Sequence, residues 1–169
     1  RGCETPHAEA WELLDVRHAG FYVDLGAYNG DTLAAFVERT DSTYTHLTAF
    51  EPDAKNCEKL RRKAAESGNA AAWDCADTLY IKKGKRGRGS ALSKEGGAPV
   101  TADTVDRILG GQPADFIKFD VEGAESRAIA GAAETIVRCH PNMEIAAYHK
   151  NEDLFSLPRQ ILSICTEYD

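Results

Sequence analysis

The chain has 169 residues, 43% hydrophobic and 28% charged, enough for one globular domain burying roughly 70% of its unfolded surface. Twenty basic against 27 acidic side chains leave a formal net charge of −7, which argues against general affinity for nucleic acid or an anionic membrane. No apolar run approaches the roughly 18 residues of a membrane span, and the five cysteines (Cys3, Cys57, Cys75, Cys139, Cys165) show no Cys-x-x-Cys spacing. They read as reduced thiols of a cytoplasmic protein and not as a disulfide or zinc framework.

Residues 1–20 are expected to form a lid or edge segment on a cofactor-binding core over 21–169, the whole making one domain. Within that segment His7 to Asp15 predicts a short helix with Trp11, Leu13 and Leu14 on one side. Phe21 to Leu25 then reads as a buried strand, Gly26 to Gly30 as a tight turn, and Asp31-Thr32 as the opening of a helix through Val37. A strand, a glycine turn and a helix N-terminus form the cofactor entry of an open α/β sheet. The glycine spacing is Gly-x-x-x-Gly, not the dinucleotide Gly-x-Gly-x-x-Gly, and Asp24 precedes it. A pyrophosphate on this turn would face Asp24 and compete with Asp31 for the helix N–H groups. A cationic cofactor such as S-adenosylmethionine would gain from both carboxylates.

Tyr44 to Phe50 predicts the second strand, ending in Glu51-Pro-Asp53, where Pro52 stops the strand and Asp53 starts a helix running to about Ala65. Glu51 follows Gly30 by 21 positions, the place from which an acid meets ribose hydroxyls in a doubly wound sheet. Ala70 to Trp73 is expected as the third strand, with Trp73 either against an adenine or in the core. Thr78 to Leu92 predicts a β-hairpin turning at Gly84 to Gly89. Its Lys82, Lys83, Lys85, Arg86 and Arg88 make either a solvated face or a clamp for an anionic substrate. Lys94 to Gly97 is a loop, and Thr101 or Asp103 is expected to cap a helix over Val105 to Leu109.

Ala114 to Asp120 reads as a strand that ends in Asp120-Val-Glu122-Gly-Ala-Glu125. Alternation places 120 and 122 on one side, and Gly123 turns the chain into a helix from Ala124 to Arg138. Met143 to Tyr148 is the next strand, closing on Tyr148-His149-Lys150. Glu152 and Asp153 start a last helix with Leu154, Leu157, Ile161, Leu162 and Ile164 as its apolar positions. The expected fold is a doubly wound, Rossmann-like, mostly parallel α/β sheet with a hairpin insertion.

Four stretches, Val23 to Thr32, Phe50 to Asp53, Ile117 to Glu125 and Tyr148 to Lys150 with Glu152-Asp153, resemble the FkbM-type methyltransferases, S-adenosylmethionine-dependent enzymes of the class I fold. The resemblance covers roughly Phe21 to Leu157. It implies that Asp24, Gly26, Ala27, Gly30 and Thr32 hold the methionine end of the cofactor, with Asn29 and Asp31 in the same turn. It further implies that Glu51 holds the ribose, that the Pro52 and Trp73 regions border the adenine, and that Asp120 lies beside the methyl donor. The implied reaction is O-methylation of a hydroxyl on a sugar or secondary metabolite. A class I sheet continues with a further strand and a hairpin partner, so the chain is expected to stop at Asp169 short of its C-terminal strands. The fifth strand is then open to a partner strand, as in a homo-oligomer.

His149 is the expected general base, since an imidazole titrates near neutrality, with Asp120 or Glu122 orienting it or taking the proton directly. Glu125, a turn into its helix, would pair with a nearby cation or cap backbone N–H groups. A divalent cation on Asp120, Glu122, Glu125 and His149 is conceivable chemistry but is not expected. Two other classes compete: a nucleotide-dependent oxidoreductase, disfavoured by Asp24 and the glycine spacing, and a methyltransferase-like binding module without catalysis.

Overall fold

A computed structural model describes residues 6–62, 66–68, 70–83 and 90–168, with the backbone alone at 66–68, 82, 83, 90 and 91. The predicted hairpin turn at Gly84 to Gly89, and the basic side chains read there, lie outside the described residues.

The chain starts with helix α1 (His7–Leu13) and a 3-10 turn (Val16–His18), then strand β1 (Phe21–Leu25), helix α2 (Asp31–Arg39), strand β2 (His46–Phe50), helix α3 (Ala54–Arg61) and strand β3 (Glu66–Gly68). Next come β4 (Ala71–Ala72), β5 (Asp77–Lys83), β6 (Ser90–Ser93), β7 (Ala98–Asp103) and α4 (Val105–Leu109). The last elements are β8 (Phe116–Phe119), α5 (Glu125–Ala130), α6 (Ala133–Cys139), β9 (Asn142–Ile145) and α7 (Asp153–Ile164). No helix among the described residues is long and apolar enough to cross a membrane.

One sheet holds five strands in the order β3-β2-β1-β8-β9, and every pair in it is parallel. The order reverses between β1 and β8, and a ligand crevice opens beyond the strand ends at such a switch point. Successive β1 residues face opposite sides of the sheet, which separates two cores. Tyr22 packs with Trp11, Phe36 and Phe116 on one side, its ring stacked 4.1 Å from Phe36 and 5.6 Å from Phe116. Val23 and Leu25 pack with Ile117, Phe119, Ile129, Ile136 and Leu157 on the other. Each such fully buried side chain contributes about 1.5–3 kcal/mol.

The structure departs from the sequence reading in several places. The third strand of the parallel sheet is Glu66–Gly68, paired with Thr48–Phe50, and not Ala70–Trp73. Ala71–Ala72 instead joins β7 in a second sheet, β4-β7-β5-β6, of which the expected hairpin (β5 and β6) is one part. A short edge strand pairs through its backbone, so Ser67 and Gly68 can serve despite weak β-propensity. Thr104, not Thr101 or Asp103, caps α4 by accepting from Arg107 N at 3.1 Å; Thr101 and Asp103 belong to β7. The expected helix over 124–138 is broken at Gly131, where a Cβ would lie 1.9 Å from the carbonyl oxygen of Trp73. Asp106 restarts it as α6 by accepting from the backbone N–H groups of Glu134 and Thr135.

In α1 only Trp11 is buried, while Leu13 is 86% exposed, because a seven-residue helix presents one narrow stripe to the sheet. Along α7, Leu157 and Ile161 are buried, but Leu154 and Leu162 point to solvent. The strand ending at Phe119 also does not carry Asp120 and Glu122 by alternation. Glu122 sits in a turn at φ 55°, and it is this turn that swings it toward the crevice.

Candidate active site

At the switch point a cavity of about 950 Å³ opens between the ends of β1, β2 and β8, within the range of a cofactor site. The glycine turn makes one wall with Gly26, Tyr28, Asn29, Asp31 and Thr32; Glu51, Pro52 and Asp53 make a second, and Lys118, Asp120 and Glu122 a third. Gly26 takes φ 85°, and its N–H and that of Ala27 both donate to Phe50 O. Those two bonds stitch the turn to β2. Ala27 is buried behind the wall, and Gly30, at φ 77°, is the N-cap of α2. Asn29 Oδ1 accepts from Asp31 N at 3.0 Å, and Asp31 Oδ1 from Thr32 N at 2.9 Å. Side chains thus already occupy the first N–H groups of α2, and this turn offers little to a phosphate.

Glu51 is 6% exposed. Its two oxygens accept from Tyr28 N and Asp53 N, each at 2.9 Å, tying the turn after β1 to the turn after β2. Burial pushes its carboxyl above the ordinary range, against the pull of those backbone N–H groups and Asn56. The carboxylate lines the cavity, and a carboxylate accepts at up to about four lone-pair positions, which places it to meet ligand hydroxyls there. Asp53 Oδ1 caps α3 through Lys55 N and Asn56 N.

Two expected residues stand elsewhere. Asp24 is completely buried and does not line the cavity. Its Oδ1 is 3.2 Å from Nζ of Lys118, itself 3% exposed. The two residues are register partners across β1 and β8, and Glu144 is the next partner on β9. Burial pushes the Asp24 carboxyl up, while Asp24, Asp120 and Glu144 together hold the Lys118 ammonium protonated against the same burial. Asp24 is therefore matched by a cation of the protein itself, which corrects the expectation that it faces a cationic cofactor. Trp73 also stays out of the cavity wall. Its ring lies under the Arg127 guanidinium, 4.9 Å from the centroid, and Arg127 pairs with Asp74 at 2.5 Å. The cavity is instead lined near there by Ala70, Ala71 and Ala72.

Behind the third wall, and outside the cavity lining itself, His149 and Glu125 join Asp120 and Glu122 in an acid–histidine cluster. His149 Nε2 lies 3.5 Å from Glu122 Oε2 and 3.9 Å from Asp120 Oδ1, and Nδ1 lies 2.9 Å from Glu125 Oε1. The last approach is an ion pair and not an aligned hydrogen bond, so Nδ1 has no hydrogen-bond partner among the described residues, and Glu125 Oε2, the oxygen turned away from the ring contact, has none either. Glu125 is 1% exposed, and its Oε1 also accepts from Val121 N and Gly123 N. The Glu125 contact, opposed by burial and reinforced by Asp120 and Glu122, raises the His149 imidazole above 6.5. Burial pushes the Glu125 carboxyl up, but His149 and the backbone N–H groups outweigh it and leave the group below 4.5. Asp120, Glu125 and His149 each bring a donor atom within 4.8 Å of the others. Asp120 also meets Lys118 Nζ at 3.8 Å.

Sequence reasoning missed Lys118, although a lone charge inside Phe116-Ile-Lys-Phe119 was a signal. It also missed the N-terminal contact with this wall. His7, which lines the cavity, lies 2.5 Å from Glu144 Oε1, and Trp11 Nε1 donates to Glu144 Oε2 at 2.7 Å.

A parallel sheet in this order, an acid at the tip of β2, a glycine turn after β1 and acids after β8 are features of the class I methyltransferase fold. The Methyltransferase FkbM domain model matches residues 24–169, and the chain belongs to that family. A crystal structure of methyltransferase FkbM from Methylobacillus flagellatus KT at 2.20 Å resolution has the same fold, with a TM-score of 0.73 and 25% identity. The likeness covers 89% of this chain and 39% of that one. Among curated proteins none matches this chain.

Proposed function

We propose that the chain is a cytoplasmic S-adenosylmethionine-dependent O-methyltransferase acting on a hydroxyl of a small molecule, a sugar or secondary metabolite. The observation that carries this reading is the convergence on one crevice of Glu51, the glycine turn and the Asp120–Glu122 edge, with His149 beside that edge. The fit to the cofactor rests on the lining. The N–H groups at the start of α2 are bonded to Asn29 and Asp31, which disfavours a pyrophosphate, while Asp31 and the half-exposed Asp120–Glu122 edge suit an ammonium and a sulfonium.

In this reading Asn29, Asp31 and Thr32 hold the amino-acid end, Glu51 accepts from the ribose hydroxyls, and Pro52 with Ala70 to Ala72 borders the base. When bound, the cofactor supplies an electrophilic methyl carbon on a positively charged sulfur. The chain's own work is then to orient the acceptor and remove its proton, and orientation alone can be worth roughly 7–11 kcal/mol. The proton leaving the hydroxyl is taken at Nε2 of His149, and Asp120 and Glu122 stabilise the imidazolium that results.

Calorimetric titration with S-adenosylmethionine, S-adenosylhomocysteine and NAD tests the reading. The two adenosyl ligands are expected to bind and NAD is not. Glu51→Gln, which keeps an acceptor for one of the two backbone N–H groups, is expected to weaken both adenosyl ligands about 10- to 100-fold, as for charge-assisted hydrogen bonds worth about 1.5–3 kcal/mol. Equal affinity of the variant and wild type would remove the ribose role from Glu51. Binding of NAD alone would move the chain to the oxidoreductases, and adenosyl binding with no transfer across a broad hydroxyl panel would leave a binding module.

A further inference from the structure

Resting on that reading of the site, we infer that Glu125 is the positioning residue of the general base: it holds His149 with Nδ1 toward the protein and Nε2 toward the crevice. The sequence reading gave the orienting role to Asp120 or Glu122, and the distances divide the labour differently. Those two carboxylates, which line the cavity while His149 itself does not, stand 3.9 and 3.5 Å from Nε2, beyond a good hydrogen bond. Among the described residues, Glu125 is the acid that approaches Nδ1, at 2.9 Å.

Its placement suits the role. At 1% exposure it is sealed from water, and the backbone N–H groups of Val121 and Gly123 pin the oxygen that meets His149. Asp120 and Glu122 are 31% and 46% exposed and line the cavity, where they can meet a ligand. A buried acid behind an imidazole selects the tautomer with the proton on Nδ1 and a lone pair on Nε2.

The other groups around the ring are Tyr148, its neighbour at 4.5 Å between centroids, and Lys150. The Lys150 ammonium donates to Gly123 O at 2.6 Å, and its backbone N–H donates to Asp153. The charges that set the imidazole are thus Glu125 from α5 and Asp120 and Glu122 from the turn before it, all of the sign that favours protonation. The base form then emerges only as pH rises through a value above 6.5. The ion pair adds stability below 6.5 and gives it up as pH rises through that raised value.

Histidine-selective NMR of the protein, with the His149 signal assigned through His149→Gln, tests this without any substrate. In the wild type the neutral ring is expected to carry its proton on Nδ1, with a titration midpoint above 6.5. In Glu125→Gln the midpoint is expected to move down toward the ordinary value, while calorimetry shows S-adenosylhomocysteine affinity unchanged within about twofold. Once an acceptor is in hand, the same variant is expected to lose about 10²- to 10⁴-fold in kcat, the range of general-base catalysis, with its pH profile displaced to lower pH. A neutral ring protonated on Nε2 in the wild type would overturn the assignment even if every Glu125 variant failed to fold. So would an unchanged midpoint in a folded Glu125→Gln. Micromolar Mn²⁺ broadening the His149 signal in wild type and not in Glu125→Gln would overturn it too, showing that the cluster holds a cation and not a poised base. Loss of adenosyl binding in the wild type would strike the methyltransferase reading and leave the tautomer result standing.

Discussion

Lys118→Met is expected to cost the fold about 3–5 kcal/mol, because it strands the Asp24 carboxylate where bulk solvent does not reach. Asp24 is 0% exposed, its Oδ2 has no hydrogen-bond partner, and the Lys118 ammonium at 3.2 Å is the cation that matches it. The loss would appear as a lower urea midpoint at unchanged slope. Adding Asp24→Asn to Lys118→Met removes the unpaired charge, and most of the loss should return, since an ion pair replaced whole is often nearly neutral. A single variant costing under about 1 kcal/mol would show that Lys118 does not compensate Asp24. The pair has a second consequence: the ammonium also reaches Asp120 at 3.8 Å, so its loss should change the charge at the crevice edge as well as the stability of the sheet.

The second large effect is expected at Gly26→Ala. The residue stands at φ 85°, and an added Cβ would lie 1.9 Å from the carbonyl oxygen of Asp120. Left-handed strain costs about 1–3 kcal/mol, and the end of β8 must also retreat, carrying Asp120 with it. Adenosyl binding is expected to fall below detection by calorimetry. Gly111→Ala is the control, with φ 87° but nothing within 4 Å of its added Cβ, so it pays only the conformational term. If Gly26→Ala matches Gly111→Ala in stability and still binds adenosyl ligands, the close approach of the two turns is not what shapes the crevice.

The elements that were legible in the sequence are those whose burial is nearly complete or whose turn chemistry is local. Phe21 to Leu25 and Phe116 to Phe119 are apolar apart from the paired Asp24 and Lys118, because both faces of a central parallel strand are covered, and Gly26 and Gly30 mark a turn that side chains resist. Glu125 shows the limit. Its alternatives, a nearby cation or backbone N–H groups, could be written from spacing along its helix, and the structure gives it both. That the cation is His149, 24 residues further on in sequence, depends on β8 and β9 being neighbours.

The sequence by itself determined the order of the parallel strands' motifs, the glycine turn, the acid at the tip of β2, the acid-rich turn after β8 and the family these imply, because each is written in a few consecutive residues. Tertiary structure alone decided who faces whom. Asp24 meets Lys118 through strand register, Trp73 goes to Arg127 and not to the crevice, and position 131, between α5 and α6, admits only glycine because the Trp73 carbonyl lies against it. Charge pairing and steric exclusion act between atoms a few ångströms apart in space, and separation along the chain carries no record of that distance until the sheet has brought the strands together.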